Sequence, residues 1–112
     1  MSEVNHPKLS HYIDLAAMQD SAAGACNLMK VMANPDRLLL LCQISQGEKA
    51  VGELEELLGI YQPTLSQQLT VLRDEGLVST RRDGKKIYYS MASTPAMAVM
   101  QVLYQHFCSN NQ

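Results

Sequence analysis

Residues Gln62 to Ser90, QPTLSQQLTVLRDEGLVSTRRDGKKIYYS, constrain this chain more than any other segment. Pro63 suits a first helical position, because its missing N–H costs nothing there. Leu65, Leu69 and Leu72 recur at i, i+4 and i+7, which buries one helical face. The opposite face carries Gln67 and Thr70, flanked by Thr64, Ser66 and Gln68. Short uncharged donors and acceptors on a rigid rod are what reading base edges in a major groove requires. Gly76 stops the helix. A strand follows, then Asp83-Gly84, a strong hairpin signal, then a second strand through Ile87, Tyr88 and Tyr89. Arg81, Arg82, Lys85 and Lys86 crowd the hairpin tip. A polar helix running into a cationic hairpin is the layout of a winged helix-turn-helix, and it points to double-stranded DNA as the partner.

The rest of the chain fits around that segment. An alanine- and methionine-rich helix is predicted from Ser10 to Ala33, with Ile13, Ala16, Ala17, Ala23, Leu28 and Val31 on its apolar side. Asn34-Pro35 breaks it. A second helix is predicted from Pro35 to Gln46, with Leu38, Leu41 and Cys42 on one face and Asp36 favouring its first turn. Val51 to Leu58 reads as a short acidic helix closed by Gly59. Short helix, glycine turn and second helix make the helix-turn-helix. The last helix is expected from Pro95 to Ser109. Residues 1–9 read as a flexible tail and residues 10–109 as one domain. The fold class is mainly α with a small β-hairpin, in the order α-α-α-α-β-β-α.

No charged residue occurs from Met91 to Gln112, and Met97, Met100, Leu103, Tyr104 and Phe107 make a broad apolar face there. One small protomer cannot easily bury so much of a terminal helix, so a homodimer with the terminal helices in its interface is expected.

Net charge is -2, yet it is unevenly spread. Residues 1–60 hold four lysines and arginines against eight acidic residues, whereas residues 61–112 hold five against three. Phosphate contact depends on the local positive patch. The three cysteines, Cys26, Cys42 and Cys108, are too few and too scattered for a secreted disulfide scaffold. Their plain reading is small buried hydrophobes. The polar start of the chain is not a signal peptide, and no apolar run is long enough to span a bilayer. These features place the chain in the cytoplasm and off the membrane. The absence of CxxC, paired carboxylates, a Ser/His/Asp set or a phosphate loop argues against an enzyme.

Four stretches together resemble the arsenic-repressor (ArsR/SmtB) family of dimeric bacterial repressors. They are Ala33-Asn34-Pro35-Asp36-Arg37-Leu38, Gln62 to Leu69, Leu72 to Val78, and Arg81 to Tyr89. The resemblance spans about residues 20 to 108. It implies that the second helix of the helix-turn-helix enters the major groove of a palindromic operator. It assigns base reading to Thr64, Ser66 and Gln67, joined by Gln62 and Gln68. It assigns phosphate contact to Arg81, Arg82, Lys85 and Lys86.

Metal-sensing members use a Cys-x-Cys pair on the second helix, or His and carboxylate ligands on the last. Here the second helix offers only Cys42, and the last offers His106 and Cys108 without a carboxylate; His6 and His11 lie in or near the tail. Two ligands do not complete a tetrahedral zinc shell, so no metal site and no cofactor are assigned. A metal- or metalloid-responsive repressor using Cys42, Cys108 and Cys26 or His106 stands as the alternative.

Cys42 on the second helix and Cys108 at the end of the last, with GELEELLGIYQPTLSQQL, are similar to the biofilm growth-associated and sulfide-responsive branch of that family. The resemblance implies that these two thiols are linked by oxidation or persulfide chemistry, that DNA is then released, and that the genes freed deal with hydrogen sulfide. Reactive sulfur species or an oxidant would be the inducer. Cys26 is an addition to that pattern and is expected to be buried and structural.

Overall fold

The computed structural model describes residues 14–108. The predicted tail, the expected helix start at Ser10, His6, His11, Ile13 and Ser109 lie outside the described residues. The chain divides after Lys30 into two compact units.

Helix α1 spans Leu15–Met32. Within its first sixteen residues Ala16, Ala17 and Ala23 are exposed and Leu28 is half-buried. Leu15, Met18 and Met29 are exposed large hydrophobics. Val31 and Met32, which begin the second unit, are buried.

Helix α2 spans Pro35–Ile44, two residues shorter than predicted. Its start is well specified. The Asn34 side chain accepts the Arg37 N–H at 3.0 Å, and Pro35 occupies the first turn. An N-cap of this kind contributes about 1 kcal/mol. Leu40, Leu41 and Ile44 are fully or almost fully buried, while Leu38 and Cys42 are half-buried. The core-facing stripe is therefore rotated from the predicted one. Helix α2 packs against the two helices that follow it, the central strand and the last helix.

Strand β1, Lys49–Ala50, has only two residues. Helix α3, Val51–Leu58, matches the predicted range. The Glu53 carboxylate accepts the Ala50 N–H at 2.8 Å, half of a capping box. Gly59, at φ 66, closes the helix in the left-handed conformation that glycine adopts without strain.

Helix α4 spans Thr64–Asp74, with Pro63 as its N-cap residue rather than its first helical residue. Leu65, Leu69 and Leu72 are all buried, as their spacing requires. Burying each is worth about 1.5–3 kcal/mol. Its end is a Schellman motif. Leu77 N–H donates to Leu72 O at 2.9 Å, Gly76 N–H donates to Arg73 O at 3.0 Å, and Gly76 sits at φ 79.

Strands β2, Val78–Asp83, and β3, Lys86–Met91, form the expected hairpin. Asp83 pairs with Lys86, so the loop residues are Gly84 and Lys85, one step later than the Asp83-Gly84 signal. The sheet has three strands in the order β1-β3-β2, all antiparallel. The third strand is not legible in the sequence, because two residues are too few to show a period. Helix α5 spans Thr94–Phe107, capped by Ser93, whose Oγ accepts Ala96 N–H at 3.1 Å. Ala96 and Met100 enter the core. The fold is a winged helix-turn-helix, with α3 and α4 as the helix-turn-helix and β2–β3 as the wing. No described helix is long and apolar enough to cross a membrane.

Candidate nucleic-acid interface and thiol cleft

The polar face of α4 is built by the leucines behind it. With Leu65, Leu69 and Leu72 in the core, Ser66, Gln67 and Thr70 are turned outward and exposed. Thr64 and Gln68 fall on the flank and are half-buried. Gln62 lies just before the helix, exposed. Its side-chain oxygen accepts both the Ser66 N–H at 3.1 Å and the Ser66 hydroxyl, which satisfies a free donor of the first turn. The predicted base-reading residues thus divide. Ser66 and Gln67 face out with Thr70. Gln62 braces Ser66. The Gln68 side-chain oxygen accepts from Arg37 Nη1 at 2.8 Å, so it ties α4 to α2.

Beside this face lies a cleft of about 740 Å³ between α3, α4 and the wing. Gln62, Ser66 and Thr70 line one wall and Lys85 and Lys86 the other. Strand alternation puts Ile87 and Tyr89 on this side of β3, and both line the cleft. Arg82 pairs with Ile87 across the hairpin. Arg82, Lys85 and Lys86 are exposed, and among the described residues none of them makes an ion pair.

Arg81 departs from expectation. Its Nε and Nη2 each lie 2.8 Å from a Glu48 carboxylate oxygen, a bidentate pair. Its guanidinium also lies 4.4 Å from the centroid of Tyr88, its cross-strand partner. The hydrogen bond from Arg81 holds the Glu48 carboxyl below the usual carboxylate range, and Glu48 in turn raises Arg81. This guanidinium is thus engaged within the protein by Glu48 and Tyr88. Sequence reading misses Glu48 because the whole helix-turn-helix separates the pair and no local period links them.

The second feature is a cleft of about 560 Å³ between α2 and α5. Its walls are almost wholly apolar, with Leu38 and Leu39 on one side and Met100 and Phe107 on the other. Cys42 and Cys108 both line it. Cys42 is half-buried and Cys108 exposed at the C-cap of α5, its N–H donating to Tyr104 O at 2.9 Å. The Gln46 amide lies 3.9 Å from the Cys42 sulfur and 3.3 Å from its carbonyl oxygen. All three cysteines are free thiols. Cys26 is exposed on α1, not buried as expected, because among the described residues of its own unit no other element covers its helix face. His106 is exposed. Among the described residues no three His, Cys, Asp or Glu side chains gather to hold a metal ion.

Comparison with known proteins places these features in context. A family model described as bacterial regulatory protein, arsR family, matches residues 34–80, from the α2 cap into β2. The chain is 50% identical to the biofilm growth-associated repressor of Agrobacterium fabrum over 97 residues, 87% of this chain and 83% of that protein. Among solved structures, reduced HlyU from Vibrio cholerae aligns with a TM-score of 0.81 at 39% identity, covering 85% of this chain and 100% of that one. The transcriptional repressor BigR from Xylella fastidiosa aligns with a TM-score of 0.77 at 44% identity, covering 87% and 99%.

Proposed function

Since the chain belongs to the arsR family of bacterial regulatory proteins, we propose that it is a dimeric cytoplasmic repressor whose grip on a palindromic operator is switched by Cys42 and Cys108. The observation that carries the switch is the shared cleft: two thiols remote in sequence line one apolar space between α2 and α5. The description of the Vibrio cholerae relative as reduced favours a redox-sensitive reading.

The DNA-reading parts follow from the exposed face of α4. Helix α4 enters the major groove with Ser66 and Gln67 at base edges, Thr70 beside them, and Gln62 and Thr64 at the helix start. Arg82, Lys85 and Lys86 meet phosphates from the wing. Two copies present two such helices to half-sites about 34 Å apart. The dimer is supported by α5, where Val102, Tyr104 and Phe107 are 54%, 49% and 81% exposed in a single chain.

The switch chemistry balances with a persulfide as the oxidant. One thiolate attacks the outer sulfur of R–S–SH, gaining a Cys–S–SH group and releasing RSH. The second thiolate attacks the cysteine's own sulfur, closing a Cys42–Cys108 disulfide and expelling hydrosulfide. Two protein thiols are oxidised and the persulfide is reduced to a thiol and hydrogen sulfide. Peroxide reaches the same bridge through a sulfenic acid, with release of water. Closing the bridge fixes the spacing of α2 and α5. If α5 forms the dimer seam, the separation of the two α4 helices changes and no longer fits the operator. A coupling of about 3 kcal/mol is enough for a hundredfold loss of affinity. The genes released are those that remove sulfide.

The test is peptide mass spectrometry of protein treated with polysulfide or peroxide, paired with operator binding of each product. A Cys42–Cys108 link that coincides with loss of binding supports the reading. Full modification with unchanged binding sinks it.

A further inference from the structure

One charged cluster takes no part in the functions assigned above. Glu48 stands just before β1, Arg81 lies in β2, and Tyr88 and Ser90 lie in β3. Glu48 Oε2 accepts from Arg81 Nε at 2.8 Å and from Ser90 Oγ at 3.2 Å, and Oε1 accepts from Arg81 Nη2 at 2.8 Å. Asp83 approaches the same guanidinium at 4.0 Å, and Tyr88 stacks beneath it. One carboxylate thus joins all three strands.

The join matters because the backbone alone holds the wing weakly. Strand β1 pairs with β3 only at Lys49–Tyr89 and Ala50–Tyr88, and a two-stranded hairpin has little stability of its own. A bidentate arginine–carboxylate pair adds what a short ladder lacks, a defined angle. Strand alternation also decides which way Arg81 points. Arg81, Tyr88 and Ser90 share one face of the sheet. Arg82, Ile87 and Tyr89 share the other, which closes the cleft against α4. Arg81 is therefore turned away from Arg82 and from the cleft that Ile87 and Tyr89 close against α4.

We propose that Glu48 and Arg81 are positioning residues of the operator interface. The pair sets the angle of the wing against α4, so that Arg82, Lys85 and Lys86 reach phosphates in the register fixed by Ser66 and Gln67. Neither residue touches DNA. The assignment rests on the DNA-binding reading of the wing and is independent of the thiol switch.

Charge reversal separates positioning from direct contact. Full-length Glu48→Arg, Arg81→Glu and the double reversal are titrated against a duplex that the wild-type protein selects from a random-sequence pool, over a series of salt concentrations. Each single variant sets two like charges against each other and should lose about tenfold or more in affinity. The double variant restores the pair with its members exchanged and should return to within about threefold of wild type, with the wild-type salt slope. If Arg81 were a phosphate ligand, Arg81→Glu and the double reversal would be equally poor and both would show a flatter slope. That result overturns the proposal. Thermal melting guards against a trivial loss of fold, and Glu48→Gln with Arg81→Gln removes the pair without repulsion. A double reversal that melts like wild type yet fails to bind the selected duplex also overturns it. A wild-type protein that selects no duplex at all removes the DNA reading itself, and this assignment with it.

Discussion

Arg37 reaches from the first turn of α2 to Gln68 in the middle of α4, its Nη1 donating to Gln68 Oε1 at 2.8 Å. Its Nε donates to the Val31 carbonyl oxygen at 2.6 Å, so one guanidinium fastens Val31, α2 and α4 together. Helix α2 also carries Cys42. The helix that bears Cys42 is thus bonded directly to the second helix of the helix-turn-helix.

Gln67 and Gln68 are neighbours with opposite expected phenotypes. Gln68→Ala leaves Arg37 without its side-chain acceptor and should cost about 1–3 kcal/mol of stability. Sequence preference should hold. Gln67→Ala should leave the melting temperature alone and relax preference by about 1–3 kcal/mol per half-site. Paired melting curves and sequence selection check both. A Gln68 variant with altered base preference and normal stability would reverse the roles.

Arg82→Ala and Lys86→Ala should weaken binding to every duplex alike. The slope of log affinity against log salt should flatten by about 0.9 for each phosphate that is no longer neutralised. Affinity measured at four or more salt concentrations gives that slope. An Arg82 variant with an unchanged slope and a new preferred sequence would place this residue at base edges.

The Glu48–Arg81 pair carries a pH signature. Arg81 holds the folded-state carboxyl of Glu48 below its usual range. Its contribution to wing order is therefore present above the unfolded carboxyl value and is lost as pH falls through the depressed folded value. Protection from hydrogen exchange in β2 and β3, taken relative to the intrinsic rate at each pH, should hold from neutral to mildly acid pH and fall only below the ordinary carboxylate range. Glu48→Gln should show reduced protection throughout. An identical pH profile in wild type and variant would show that the pair does not order the wing.

The helix-turn-helix and hairpin are legible in the sequence because each rests on local chemistry: leucines at i, i+4 and i+7, glycines at Gly59, Gly76 and Gly84, and Pro35 after Asn34. Links between distant residues are not legible. Arg37 lies within a recognised motif, yet nothing local names Gln68 as its partner, and Arg81 looks like any other wing cation until Glu48 is seen beside it. The two-residue β1 leaves no alternation to read. Cys26 sits among small apolar residues, which suggests burial, but composition does not say which face of a helix is covered. The shared cleft of Cys42 and Cys108 is a tertiary fact, which sequence reading reaches only through resemblance.

The dimer should depend on the end of α5. Tyr104→Asp with Phe107→Asp places charge on side chains that are 49% and 81% exposed in one chain, so the protomer fold should survive. Sedimentation should then report a monomer, with affinity for the palindrome reduced far more than for a single half-site. A persistent dimer with full operator affinity would move the interface elsewhere.

If Cys42 and Cys108 together form the switch, operator affinity before and after polysulfide treatment should divide the single cysteine variants. Cys42→Ser and Cys108→Ser should bind equally well in both conditions, holding the operator permanently. Cys26→Ser should release DNA like wild type, even though its thiol is exposed, because Cys26 does not line the cleft between α2 and α5. Peptide mapping of the treated wild type should find Cys42 joined to Cys108. A Cys108→Ser protein that still releases the operator, or a bridge mapped to Cys26, would show that Cys42 and Cys108 are not the switch.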